Sequence, residues 1–290
     1  MDIRSLVIII TSAMFHSIWN ILLKKGNDRE IFACLAQVGL VIICVPVVFI
    51  YYHDIQTIPN IGWVLIVLSG IIHFFYFLFL SRSYQYGDVS QVYPIARGFG
   101  PAVVPLLGIM IFQENIDTIS VLGIALIVLG IFSVYGLDLS KNLILNPITT
   151  LKKPVLIYSL STGISISAYS IVDKIALLYI PALTYRYLIG IISAIFLTYY
   201  ISNKKLMSNI VKEFNSHWPT IGMVSMLDFA AYGLVLVVLN SSPLSYVWPL
   251  RESSILLTLI LGRIVFNEEL NPSKLIGAVI IFIGVSFVAI

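Results

Sequence analysis

The chain has 290 residues, 59% hydrophobic and 11% charged, with a net charge of +3 from 17 Lys+Arg against 14 Asp+Glu. Soluble domains are about 45–50% apolar and about 25% charged, so this composition excludes a water-soluble globular protein. The positive excess is also too small and too scattered for nucleic-acid binding.

A membrane helix needs about 20 apolar residues, and ten of them use about 200 positions. The longest connectors, around Asp138–Lys153 and Asn203–His217, leave no room for a soluble catalytic domain. Apolar runs bounded by charges, Pro and Gly predict ten spans. They are Ser5–Leu23, Ile31–Tyr52, Ile61–Leu80, Ser90–Phe112, Thr118–Leu137, Val155–Leu178, Ala182–Ile201, Trp218–Leu239, Leu244–Phe266 and Lys274–Ile290.

The first span lacks a small-residue cleavage site and reads as an uncleaved helix rather than a signal peptide. Within it, His16, Trp19 and Asn20 follow at i, i+3 and i+4 and form one polar and aromatic face. Cys34 and Cys44 lie in the second span, about 15 Å apart along a helix, and cannot bridge each other. No metal-ligand spacing occurs, and no cofactor is expected. The third span carries His73 and Tyr76. The fourth is the least regular, with Pro94, Gly98, Gly100, Pro101 and Pro105. Each proline removes a backbone bond, which lipid tolerates only where neighbours or a wet cavity satisfy the freed carbonyls. Lys24, Asp173 and Lys174, near helix ends, are expected to snorkel, as are Arg82 and Arg263.

The chain repeats itself. Ser90-Gln91-Val92-Tyr93-Pro94 returns as Ser245-Tyr246-Val247-Trp248-Pro249 at an offset of 155. Phe112-Gln113-Glu114 returns as Phe266-Asn267-Glu268 at 154, and Gly123 and Gly130 find Gly277 and Gly284. More loosely, Trp19-Asn20 and Lys24 align with Tyr169-Ser170 and Lys174. The pattern predicts an all-α membrane protein of two five-helix repeats, 1–138 and 154–290, joined by a loop at 139–153. An odd number of crossings turns the second repeat upside down, and inverted repeats mark secondary transporters with a site between the halves.

His16-x-x-Trp19-Asn20, Gly87-Asp88-x-Ser90-x-Val92-Tyr93-Pro94-Ile95-Ala96-Arg97-Gly98 and the doubled Glu114 and Glu268 segments resemble the EamA branch of the drug/metabolite transporter superfamily. The resemblance covers nearly the whole chain. It implies ten helices in two inverted repeats around a central cavity. Family members carry amino acids, nucleotide sugars, choline, sugar phosphates or lipid-linked sugars, so the substrate stays open. Small multidrug relatives bind cations and protons through a first-helix glutamate. Here that helix offers His16 and Asn20 and no acid.

Charge at the bilayer centre costs about 2.5–3.5 kcal/mol per residue and by default marks function. Arg97, Arg186 and Arg251 therefore stand as substrate contacts, with Asp228 and Glu252 as coupling carboxylates. Structural alternatives stay open: Arg97 could cap carbonyls freed by Pro101, Asp228 could pair with Arg186, and Arg251 or Glu252 could tie the ninth helix to a neighbour. At an offset of 155, Arg97 aligns with Glu252, which predicts a cross-repeat ion pair. At 154 it aligns with Arg251 instead. His16 and His73 titrate near neutrality and need polar partners in lipid. Tyr76, Tyr93 and Trp248 supply aromatic walls suited to an organic solute with a charged head.

The expected function is secondary active transport of a small polar metabolite, anionic or zwitterionic, by alternating access. A proton or counter-solute would be the coupling partner. A flippase for a lipid-linked sugar or phospholipid head group is the alternative. An enzyme is not expected, since HExxH, GxSxG and paired aspartates at protease spacing do not occur. The expected setting is the cell membrane, as a monomer or homodimer. Twelve Lys and Arg flank loops on the face opposite the termini against Arg4 and Lys174 on the terminal face, which places both termini outside the cytoplasm.

Overall fold

A computed structural model describes residues 2–23, 25–86, 89–134, 153–266 and 272–290. Every regular element among them is helical: α1 (Ile3–Leu23), α2 (Arg29–Ile43), α3 (Pro46–Ile50), α4 (Tyr52–Gln56), α5 (Asn60–Tyr86), α6 (Val89–Phe112), α7 (Thr118–Val134), α8 (Lys153–Ala176), α9 (Ala182–Lys204), α10 (Met207–Ser241), α11 (Leu244–Arg251), α12 (Ser254–Phe266) and α13 (Pro272–Ala289). Seven stretches are long and apolar enough to cross a membrane: α1, α2 with α3, α5, α8, α9, α10 and α13. Shorter apolar stretches occupy Gly98–Phe112 and Thr118–Val134.

Three elements depart from the predicted spans. The second span breaks at Cys44–Val45, where Cys44 leaves helical geometry (φ −90°, ψ 11°) and Pro46 has no N–H to continue the ladder. The ninth is two helices, because tight bonds from Glu252 N–H to Pro249 O and from Ser253 N–H to Leu250 O interrupt it. The polar connector before the eighth is helix from Met207 onward, so α10 runs 35 residues through Pro219. That is about 52 Å of helix, well beyond a hydrocarbon core of about 30 Å. Its polar first turns therefore stand outside the core, where Glu213 accepts from the backbone N–H groups of Asn27 and Asp28.

Hydroxyls and small residues stitch the bundle. Thr162, Ser165, Ser167 and Ser170 on α8 each return a hydroxyl to the carbonyl four residues earlier, which satisfies them away from water. Ser12 donates from α1 to Ala231 O on α10, Ser17 to Ser254 O on α12, and Ser225 from α10 to Ala36 O on α2. The helices pair in a regular way. α5 lies on α8 as α1 lies on α10; α8 meets α6 as α1 meets α11 and α12; α9 meets α5 as α10 meets α2. α7 packs on α13, α6 on α11 and α2 on α9.

Candidate functional site

Arg251 ends α11 and is 5% exposed. Its guanidinium lies 4.9 Å from the centre of the Trp248 ring and 5.4 Å from that of Tyr232, close enough for cation–π attraction on both sides. Nη2 donates towards His16 Nδ1 at 3.5 Å. Nε and Nη1 have no hydrogen-bond partner among the described residues, and neither do the indole N–H groups of Trp248 and Trp19. Trp19 packs edge-on against His16 at 4.9 Å. Buried charged donors left unmade are costly, and the fork of a guanidinium matches carboxylate, phosphonate or phosphate oxygens. Arg251, Trp248 and Trp19, with His16 beside them, thus form a buried cluster in which four donors have no acceptor among the described residues.

Behind this cluster sits Asp173, fully buried. Its Oδ1 accepts from Ser69 Oγ at 2.5 Å and from Tyr185 OH at 2.6 Å, and its Oδ2 accepts from Tyr232 OH. The donors come from α5, α9 and α10, so four helices converge on one carboxylate. The expectation that Asp173 snorkels at a helix end is overturned. α8 does end three residues later, but α5, α9 and α10 close over that end. Lys174 turns the other way and donates to Leu239 O at 2.7 Å and Ser242 O at 2.8 Å, capping the carbonyl end of α10.

His73 joins the two groups. Its Nδ1 lies 2.9 Å from Ser69 O and 3.2 Å from Ser69 Oγ. The carbonyl assigns the ring proton to Nδ1, which leaves Nε2 an acceptor with no partner among the described residues. The imidazole stacks on Tyr169 at 4.2 Å and lies 5.3 Å from Tyr232. Tyr169 in turn contacts Tyr76 at 5.9 Å and Trp248 at 5.6 Å. A continuous aromatic wall therefore runs from Tyr76 to Arg251.

Arg186 and Asp228 form a separate buried pair. Arg186 Nη2 lies 2.8 Å from Asp228 Oδ2, which also accepts from Gln37 Nε2 at 2.8 Å. The pairing of Asp228 with Arg186 that the sequence left open is thus present. Asn20 turns its amide back to His16 O at 2.9 Å, within α1. Arg82, expected to snorkel, is held by Tyr200 OH at 2.7 Å with Glu30 at 4.0 Å. Glu252 is 2% exposed at the turn between α11 and α12. The side chains of Tyr93 and Arg97, and with them the expected Arg97–Glu252 pair, lie outside the described residues.

The chain and its fold have known counterparts. The model of the EamA-like transporter family matches residues 3–136 and again 153–290. An uncharacterized membrane protein YvaE of Bacillus subtilis (strain 168) is 27% identical over 96 residues, which are 32% of this chain and 81% of that protein. A solved protein crystal structure aligns with a TM-score of 0.76 at 11% identity, covering 98% of this chain and 97% of that one, so the two share a fold.

Proposed function

The chain belongs to the EamA-like transporter family, and from that premise we propose that it moves a small anionic or zwitterionic metabolite across the membrane by alternating access. The observation that carries the substrate class is Arg251, whose buried Nε and Nη1 lack acceptors among the described residues between the faces of Trp248 and Tyr232. The substrate anion supplies those acceptors, His16 and Trp19 flank it, and the wall of Tyr76, His73, Tyr169 and Trp248 takes the organic body. Arg97 and Tyr93, by their place in the repeated motif, contribute from the fourth span. The same offset makes Glu252 the partner of Arg97 in the empty carrier and a proton carrier when substrate displaces it. The chain's two matches to one family model and the reciprocal pairing of its helices support ten crossings in two inverted five-helix repeats.

The alternative, a lipid head-group flippase, needs a lateral opening that reaches polar side chains. An apolar groove of about 470 Å³ does run between α2 and α9, lined by residues such as Val38, Ile42, Ile191 and Ile195. Its described lining includes none of Arg251, His16, His73 or Asp173, which favours the soluble-metabolite reading.

Proteoliposome uptake of labelled amino acids, phosphonates and sugar phosphates, set beside phospholipid scrambling in the same vesicles, tests the choice. Accumulation of one anionic or zwitterionic class, weakened in Arg251→Lys because the planar fork is lost, is expected. Scrambling without uptake, or uptake indifferent to Arg251→Lys and Arg251→Ala, would overturn the reading.

A further inference from the structure

We propose that Asp173 is a coupling acid that takes up a proton together with the anion bound at Arg251, and that Tyr232 is the positioning residue between the two. This rests on the reading of Arg251 as the anion site. Three features of the buried cluster lead here.

First, Asp173 and Asp228 are held differently. Asp228 has a guanidinium at 2.8 Å, and a proton there would break an ion pair. Asp173 has only hydroxyl partners, from Ser69, Tyr185 and Tyr232, and among the described residues no Lys or Arg lies within ion-pair distance of it. Hydroxyls are rotors that donate to a carboxylate or accept from a carboxylic acid. The cluster can therefore serve both forms of Asp173 without moving a helix.

Second, Tyr232 touches both sites. Its hydroxyl donates to Asp173 Oδ2, while its ring faces Arg251 at 5.4 Å and Arg186 at 5.7 Å. A proton arriving on Oδ2 makes the acid the donor and Tyr232 the acceptor. The phenol hydrogen must then turn away from the carboxyl, so the hydrogen bond that anchors the ring beside Arg251 reverses its direction.

Third, the sign of the charge matters. A carboxylate one aromatic ring from Arg251 opposes a second anion there, and protonation removes that opposition. Linkage is reciprocal, so a bound anion favours the protonated acid by the same factor. The other titratable or charged groups around Asp173 are His73 on α5, Tyr169 and Lys174 on α8, Arg186 on α9 and Asp228 on α10, with Arg251 on α11 beyond Tyr232. Lys174 and Arg186 are committed to the α10 carbonyls and to Asp228. His73 already spends its Nδ1 proton on Ser69 O. The side chain of Arg97 on α6 lies outside the described residues.

The test uses the full-length protein in lipid bilayers. Infrared difference spectra of the substrate-free protein, recorded as pH is lowered, should gain a protonated-carboxyl band that is missing in Asp173→Asn and kept in Asp117→Asn. Should Asp173→Asn fail to fold, Tyr232→Phe keeps the carboxylate, removes one of its donors, and should displace the band's midpoint by about one pH unit. Methanesulfonate, whose single charge is constant over this range, serves as the anion probe. Its binding to wild type should tighten about tenfold as the band appears; that step should be absent in Asp173→Asn, and in Tyr232→Phe it should be smaller and follow the displaced band. Binding that is independent of pH in wild type, or a carboxyl band indifferent to both Asp173→Asn and Tyr232→Phe, would overturn the role of Asp173 alone. Absence of methanesulfonate binding at every pH would remove the anion site itself, and the coupling with it.

Discussion

Gly130 and Gly277 face each other across the seam of α7 and α13. A Cβ on Gly130 would lie 2.9 Å from the carbonyl oxygen of Gly277, and one on Gly277 would lie 2.8 Å from that of Gly130. Gly123 and Gly284 repeat the relation one heptad away, each 2.7 Å from the other's carbonyl. In lipid, where apolar side chains gain little by leaving a solvent as apolar as themselves, such backbone contact carries association through dispersion and close packing. A methyl at Gly277 would also meet Val134 N at 2.6 Å, and a backbone atom cannot swing aside. Gly277→Ala should therefore destabilise the protein by about 1–3 kcal/mol, read as a lower melting temperature in detergent. Gly222→Ala is the control, since a Cβ there meets only Ile43 Cδ1 at 4.0 Å. Equal effects at the two positions would show that the seam is not tightly packed.

The Arg186–Asp228 pair should behave as a unit. Removing one partner of a buried pair leaves an uncompensated charge, which costs about 3–5 kcal/mol. Arg186→Met and Asp228→Leu should each yield protein that aggregates on extraction. The double variant should recover much of the lost stability, since an apolar replacement of both partners is often neutral. Size-exclusion profiles and melting temperatures of the three variants check this. Additive losses would mean that Arg186 and Asp228 do not stabilise each other.

Periodicity and composition locate the apolar helices of the described residues but not their breaks at Cys44–Val45 and Glu252–Ser253, and the repeated motif falls on the part of α11 that leads to Trp248 and Arg251. Both signals are local, and a bilayer demands long runs that are easy to see. Asp173 was misread because its surroundings are not local. Its donors lie 104, 12 and 59 residues away, at Ser69, Tyr185 and Tyr232. Only the i, i+4 step from Tyr169 to Asp173 hinted at a shared inward face. The first turns of α10 were missed for the opposite reason. Polar residues such as Lys212, Glu213 and Asn215 look like a loop inside a membrane protein, yet they suit a helix that continues into water.

Asp117 ties acid stability to the start of α7. Its carboxylate accepts from Ser120 Oγ at 2.7 Å, Ser120 N–H at 2.9 Å and Tyr246 OH at 3.0 Å. The Ser120 hydroxyl, then its backbone N–H, hold the carboxyl down at about 2, below its ordinary value of 3.8. A group depressed in the folded state adds stability that is complete above the unfolded value and lost as pH falls towards the folded one. Wild type should thus melt above Asp117→Asn at neutral pH, and the gap should close between pH 3.8 and about 2. A gap that is constant across this window would show that charge on Asp117 plays no part.

The junction between α10 and α11 is held from both ends, which bears on how Arg251 is positioned. Lys174 Nζ binds the carbonyls of Leu239 and Ser242 as α10 ends. Two residues on, Glu114 Oε1 accepts from Leu244 N–H at 2.6 Å and Oε2 from Ser245 N–H at 2.9 Å as α11 begins. These are the orphan groups that every helix end leaves, and each meets the charge that complements the local dipole. Gly108 makes room for the carboxylate, since a Cβ there would lie 2.5 Å from Glu114 Oε2. α11 has only eight residues and carries Trp248 and Arg251, so fraying at its start reaches both side chains within one or two turns. Losing a cap costs about 0.5–2 kcal/mol, which corresponds to about 2- to 30-fold in local opening. Glu114→Ala should therefore speed amide hydrogen exchange across Leu244–Arg251 by about that factor while α1 and α5 exchange as before. Lys174→Met should act on the last turn of α10 and spare α11. Unchanged exchange in α11 of Glu114→Ala would mean that the packing of Trp248 alone holds the helix in place.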